Sequence, residues 1–124
     1  MQITLSDREA EFMEVLWEQG PSTVTEVQQK LSDVLAYTTV LTILRNLEAK
    51  GYVRHDEHGR AHRYAPVIER AAARRSALNH LAGKLFKGSQ HLLLTHLVSD
   101  RKLSEEEVRG IRKLLAQQRK QGKS

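Results

Sequence analysis

The chain contains no cysteine. Disulfides, thiol nucleophiles and Cys-ligated zinc are thereby excluded, and an intracellular location fits. Aromatic residues make up only 5% of the sequence, with one tryptophan, three tyrosines and two phenylalanines. Leu, Val, Ile and Ala must therefore do most of the packing. No apolar run reaches the roughly 20 residues that cross a bilayer, and the N-terminus lacks the basic-then-apolar pattern of a secretory signal. A soluble, cytoplasmic protein without membrane insertion is expected. No Ser–His–Asp set, Gly-rich phosphate loop or pair of carboxylates occurs in a supporting context, so no catalysis of its own and no cofactor are expected.

What is present is a chain of 124 residues with a net charge of +5, long enough for one domain or a small domain with an appended oligomerisation element. The charge is uneven. Residues 1–50 hold four Lys/Arg against eight Asp/Glu, whereas residues 51–124 hold sixteen against seven. Such a basic second part permits nucleic-acid binding without requiring it.

Three helix starts share one signature. Ser6 with Glu9, Thr23 with Glu26 and Ser104 with Glu107 each fit a capping box, in which two side chains satisfy orphan backbone N–H groups. The first helix is expected over about Asp7–Gln19, with Ala10, Met13, Leu16 and Trp17 inward and Gly20-Pro21 as its stop. The second is expected over about Thr23–Ser32, with Val27 and Leu31 buried. The third, Tyr37–Lys50, has apolar residues at Val40, Ile43, Leu44 and Leu47, the spacing of one buried helical face, and Gly51 ends it.

The opposite face of that third helix carries Tyr37, Thr38, Thr39, Thr42, Arg45 and Asn46. These side chains are hydrogen-bonding and short to medium in length, where an ordinary solvated helix would show Glu and Lys. Such a face suits base edges in a groove: Thr can touch a thymine methyl and Arg can chelate guanine. The free N–H groups at the start of this helix favour a phosphate. The period then changes. Tyr52–Asp56 and Ala61–Ala65 read as two strands joined at His58-Gly59, with Pro66 closing the second. Arg60 and Arg63, and more weakly Arg54, are candidate phosphate contacts that add affinity rather than sequence information. Three helices and a hairpin wing make a winged helix-turn-helix, so the fold class is mostly α.

From Ile68 the chain reads as helical again. Helices are expected to about Lys87 (stripe Ala72, Leu78, Leu81, Leu85, Phe86), over Gln90–Ser99 (Leu92, Leu93, Leu94, Leu97, Val98) and over Glu105–Gln118 (Val108, Ile111, Leu114, Leu115), with a frayed tail from Arg119 to Ser124. Residues 1–67 thus read as a DNA-binding domain and 68–124 as a helical dimerisation domain. Its expected interface is Leu78, Leu81, Leu85, Leu93, Leu97, Val108, Ile111 and Leu115, since dyad sites call for two-fold proteins.

His55, His58 and His62 invite a metal reading. Strand alternation should place them on mixed faces, and neither Cys nor a neat carboxylate set completes four ligands, so no metal site is expected. Glu105, Glu106 and Glu107 read as helix-dipole partners, and Trp17 as core.

The segments LSDREAEFMEVLWEQGPSTVTEVQQKL and YTTVLTILRNLEAKGYVRHDEHGRAHRYAPV together resemble the penicillinase-repressor family (BlaI/MecI type) over nearly the whole chain. The most specific pieces are Val15-Leu16-Trp17, the YTTV…KG helix, the RYAP strand end and the LS-x-E-E start of the last helix. The resemblance implies a homodimeric winged-helix repressor whose partner is a double-stranded DNA operator with TACA/TGTA half-sites. It also implies, for inducible members, a membrane-bound sensor protease as a partner, triggering cleavage within the dimerisation domain. Two departures matter. The copper-responsive branch of the family carries a cysteine-rich C-terminal motif, absent here. The Asn-Phe bond cut in antibiotic-responsive members falls at His96-Leu97, the candidate cleavage position, and this substitution speaks against cleavage. Two other functions fit the same fold: a winged-helix regulator released by a small-molecule ligand, and a winged-helix protein-interaction module.

Overall fold

The computed structural model describes residues 2–100 and 102–122, with the side chains of residues 58, 121 and 122 outside that description. The elements run α1 (Asp7–Gln19), β1 (Ser22–Thr23), α2 (Val24–Lys30), α3 (Tyr37–Ala49), β2 (Val53–His58), β3 (Ala61–Pro66), α4 (Arg70–Leu85), α5 (Gln90–Asp100) and α6 (Glu105–Gly122). They fall into two compact units, Met1–His80 and Leu81–Ser124.

Local chemistry sets the helix starts. In α1 the Glu9 amide donates to Ser6 Oγ at 3.1 Å and the Ser6 amide to Glu9 Oε1 at 2.9 Å. The same reciprocal pair joins Thr23 and Glu26 at 3.2 and 2.9 Å, and Ser104 and Glu107 at 3.1 and 3.0 Å. Each closes two otherwise unmet donors. At the end of α3, Gly51 takes φ +83°, a left-handed conformation that L side chains rarely adopt. That turn lets the Tyr52 amide reach the Leu47 carbonyl at 3.0 Å and start β2 directly.

The first unit packs around Phe12, Met13, Leu16, Val27, Val40, Leu44 and Leu47, all fully buried. The α1 face is rotated from the expected one: Phe12 and Glu9 are buried, while Ala10 and Trp17 are only half-buried. Trp17 spans the edge of this core and donates its indole N–H to the Ile68 carbonyl at 2.9 Å. Helix α2 stops at Lys30, earlier than expected, because Leu31 turns extended (φ −75°, ψ 149°). The Gln28 side-chain amide then ties the following linker by donating to the Leu35 carbonyl at 2.7 Å.

The sheet has three strands in the order β1-β3-β2, all antiparallel. The two-residue β1 was not expected. It pairs Ser22 with Tyr64 and Thr23 with Arg63, which anchors the hairpin to the start of α2. The hairpin register pairs His55 with Tyr64 and Glu57 with His62.

Helix α4 leaves the leucines expected at a dimer interface exposed within one chain. Its buried positions are Ala73 and Ala82, whereas Leu78, Leu81 and Leu85 are 48%, 39% and 67% exposed. Small residues let the start of α4 approach closely, and Ser76 Oγ accepts the Ile3 amide at 2.8 Å. The second unit contains the end of α4, a left-handed turn at Lys87 and Gly88, and helices α5 and α6. Helix α6 continues past Gln118 through Arg119 and Lys120, where a frayed tail was expected; cations in a last turn complement the helix dipole. Residues 123 and 124 of that tail lie outside the described residues.

Candidate nucleic-acid interface

Helix α3 is held from behind. Val40, Leu44 and Leu47 enter the core, so the Thr38–Thr42–Arg45 stripe is exposed. The helix begins at Ala36 with no side-chain cap, leaving its first backbone donors open, which suits an anion. Thr42 Oγ1 donates to the Thr38 carbonyl at 2.8 Å. Its hydroxyl proton is thus engaged within the helix, leaving the methyl and the oxygen lone pairs for contact.

Helix α3, the start of α2 and the wing enclose a cleft of 290 Å³ lined by Tyr37, Leu41 and Arg45 from α3, Thr23, Val24 and Thr25 from β1 and α2, and Arg60, Ala61, His62 and Tyr64 from the wing. Two arginines and no carboxylate line it. Burial raises the Tyr64 phenol above its ordinary pKa, helped by the Glu48 charge, while the Arg45 guanidinium beside it pulls the other way. Arg45 and Tyr64 line the same cleft, and among the described residues Arg45 has no salt bridge.

The expected contact residues divide on this geometry. Tyr37, Arg45 and Arg60 meet around one cleft, and Thr38, Thr39, Thr42 and Asn46 are exposed on the helix beside it. Arg54 and Arg63 pair with positions on the opposite face of the hairpin from Tyr64. Arg63 is also bridged to Glu26 at 3.5 Å, and Glu26 is held below its usual pKa, first by the Thr23 amide and hydroxyl and further by Arg63. Arg60 carries no such bridge among the described residues. Thr23, Thr25, His62 and Tyr64 escaped the sequence reading because only β1–β3 pairing brings them to the cleft.

The wing histidines stand on mixed faces as expected, with position 58 opposite Ala61 on the other face from His55 and His62, and the latter two meet. His55 and His62 stack with ring centroids 5.1 Å apart and an interplanar angle of 13°. They stand on diagonal positions of one face, since His55 is opposite Tyr64 and His62 opposite Glu57.

The profile of the family described as "Penicillinase repressor" matches residues 5–117. The chain belongs to the penicillinase repressor family. That family is one of transcriptional repressors rather than enzymes. The chain is 37% identical over 117 residues to the transcriptional regulator BlaI of Mycobacterium tuberculosis, covering 91% of this chain and 83% of that one. It is 25% identical to the penicillinase repressor of Bacillus licheniformis, covering 96% and 94% of the two chains. Among solved structures, it resembles the monomeric form of Bacillus licheniformis BlaI in complex with the blaP half-operator, with a TM-score of 0.50 and 30% identity over 57% of this chain and 89% of that one. A MarR family protein from Bacillus stearothermophilus shares the fold, with a TM-score of 0.52 and 19% identity over 98% of this chain and 78% of that one. The winged helix-turn-helix expectation is thereby met. No helix among the described residues is long and apolar enough to cross a membrane.

Proposed function

We propose that this chain is a cytoplasmic, homodimeric transcriptional repressor that occupies a dyad operator, with α3 in the major groove and the wing along the backbone. The observation that carries the reading is the carboxylate-free cleft joining Arg45 of α3 to Arg60 of the wing, beside an exposed threonine stripe. Thr38, Thr39, Thr42 and Arg45 meet bases or phosphates, Asn46 flanks them, Tyr37 packs on the backbone, and Arg60 supplies phosphate contact. Arg63 and Arg54 add long-range charge. The Bacillus licheniformis relative BlaI forms a complex with the blaP half-operator, which supports DNA as the partner.

In this reading residues 1–67 bind DNA and residues 68–124 hold two copies together. The second part leaves Leu85, Leu97 and Leu115 exposed at 67%, 48% and 52%, and Val108 and Ile111 half-buried. Apolar surface of this kind is expected to be covered by a partner. Leu93 is only 8% exposed and has little to offer one. In vitro selection of bound DNA by the full chain, with sedimentation of the complex, tests the proposal. A dyad consensus bound by two chains is expected; absence of binding at low salt would overturn it in favour of a protein-interaction role.

One observation favours release by a small molecule. A second cavity of 310 Å³ lies within the first unit, walled by Ile3, Leu5, Trp17, Ala73 and Ala77 with Glu14, Arg74 and His80 among its polar lining. An apolar pocket with a few polar groups suits a small ligand. The sensor-protease reading has less behind it, because the His96–Leu97 bond lies inside α5 and would have to unwind to be cut.

A further inference from the structure

We infer that the wing carries a binding site for a divalent transition-metal ion of the zinc class, formed by His55, Glu57 and His62. Each offers one ligand atom, and the three atoms lie within 4.8 Å of one another. The set comes from two adjacent strands in fixed register, since Glu57 is opposite His62 and His55 sits one pair further along the same face. His62 Nε2 is already 3.8 Å from Glu57 Oε1, so rotamer changes of exposed side chains, rather than backbone movement, close the set around an ion.

A fourth residue separates this cluster from a chance grouping. His55 Nδ1 lies 2.6 Å from Glu48 Oε2, which also accepts the His55 amide at 3.0 Å. A ring nitrogen so close to a carboxylate oxygen must carry the proton, because two acceptors do not approach to that distance. The other nitrogen, Nε2, is then the ring atom that a metal would take, displacing any proton on it. A carboxylate behind a histidine is the usual way in which a metal-binding imidazole is oriented and made more basic. Two imidazoles and one carboxylate also match the ligand preferences of zinc, and three protein ligands leave a coordination position open. None of the four residues is needed to fill the core: all are half-buried or exposed.

His62 also lines the cleft that holds Arg45 and Arg60. A bound dication there adds positive charge at the cleft, and its open position can accept a phosphate oxygen. This consequence rests on the DNA-binding reading, whereas the metal site itself does not.

The test is zinc titration of the metal-free full chain, read by competition with a colorimetric zinc chelator. One equivalent per chain is expected, with the site lost in His55→Gln and in His62→Gln. Glu48→Gln should weaken it about 10–100-fold, the usual effect of losing the orienting carboxylate. His91→Gln, which alters an exposed histidine on α5, should leave it intact. Thermal melts of the zinc-free variants establish that they are folded, and cobalt(II) absorption reports ligation directly. No binding at micromolar zinc, or binding that survives both wing histidine substitutions, overturns the inference. Because no DNA is present, failure of the repressor reading would leave this result standing. Zinc should also raise affinity for the selected operator in the wild-type chain; unchanged affinity at full occupancy would remove the coupling to DNA.

Discussion

Arg45→Ala is the substitution that best separates site choice from grip. Arg45 lines the cleft together with Tyr64 and has no carboxylate partner among the described residues. No internal ion pair has to break when it meets a base. A bidentate contact to guanine is worth about 1–3 kcal/mol of discrimination, and about 1.4 kcal/mol is tenfold in affinity. Removal should therefore narrow the ratio of operator to random-DNA affinity by roughly 5- to 150-fold. The side chain is exposed, so folding stability should move by no more than about 0.5 kcal/mol. Arg45→Lys sharpens the test. It keeps the charge and loses the planar fork, so discrimination should fall almost as far while the salt dependence stays near that of the wild type. Fluorescence anisotropy with the selected operator and a scrambled duplex, each across a salt series, measures both quantities. If Arg45→Ala weakens both duplexes equally, the base-reading role is wrong and Arg45 is a phosphate contact.

Other substitutions address the remaining parts. Arg60→Ala should lower affinity on all sequences and flatten the log–log salt slope by about 0.9; Arg63→Ala should do less, because Glu26 already competes for that side chain at 3.5 Å. Lys50 Nζ lies 2.8 Å from Glu9 Oε2. Burial would raise the Glu9 carboxyl, but Lys50 and the Ser6 amide together hold it below its ordinary pKa. The stability from that depression is complete above the ordinary carboxylate pKa and is lost as pH falls through the depressed folded value. Lys50→Met should thus cost about 2 kcal/mol at neutral pH in urea melts, with the gap to wild type closing in acid; a gap constant with pH would contradict the pairing. Leu44→Ala, at a fully buried position, should cost about 2–5 kcal/mol by the same assay. Leu97→Glu with Leu115→Glu should yield monomers in sedimentation equilibrium while the zinc-free fold of the first unit persists by circular dichroism; an unchanged dimer would move the interface elsewhere.

Much of the fold was legible because its signals are local. The boundaries of α1 were readable from Ser6, Glu9 and Gly20, and the capping boxes of α2 and α6 from pairs three residues apart, since each hydrogen bond closes within one turn. The same holds for the recognition face of α3: Val40, Leu44 and Leu47 mark its buried side by period alone, which leaves Thr38, Thr42 and Arg45 outward. The leucines of α4 show the limit of such a pattern. A helical stripe records which residues share a face, not what covers it: within one chain Ala73 and Ala82 are buried, while Leu78, Leu81 and Leu85 stay exposed.

The sequence by itself determined the helices, the hairpin, their order and the reader-like face of α3, because backbone capping, turn chemistry and side-chain period act over a few residues. Only the tertiary structure decided which arginines are bridged among the described residues and which histidines meet. Arg63 is bridged to Glu26 of α2, while Arg45 and Arg60 close on one cleft, and His55 stacks on His62 with Glu48 behind it. Those relations depend on strand register and on β1 pinning the wing beside α2. Such pairings join residues distant along the chain, and no local pattern encodes them.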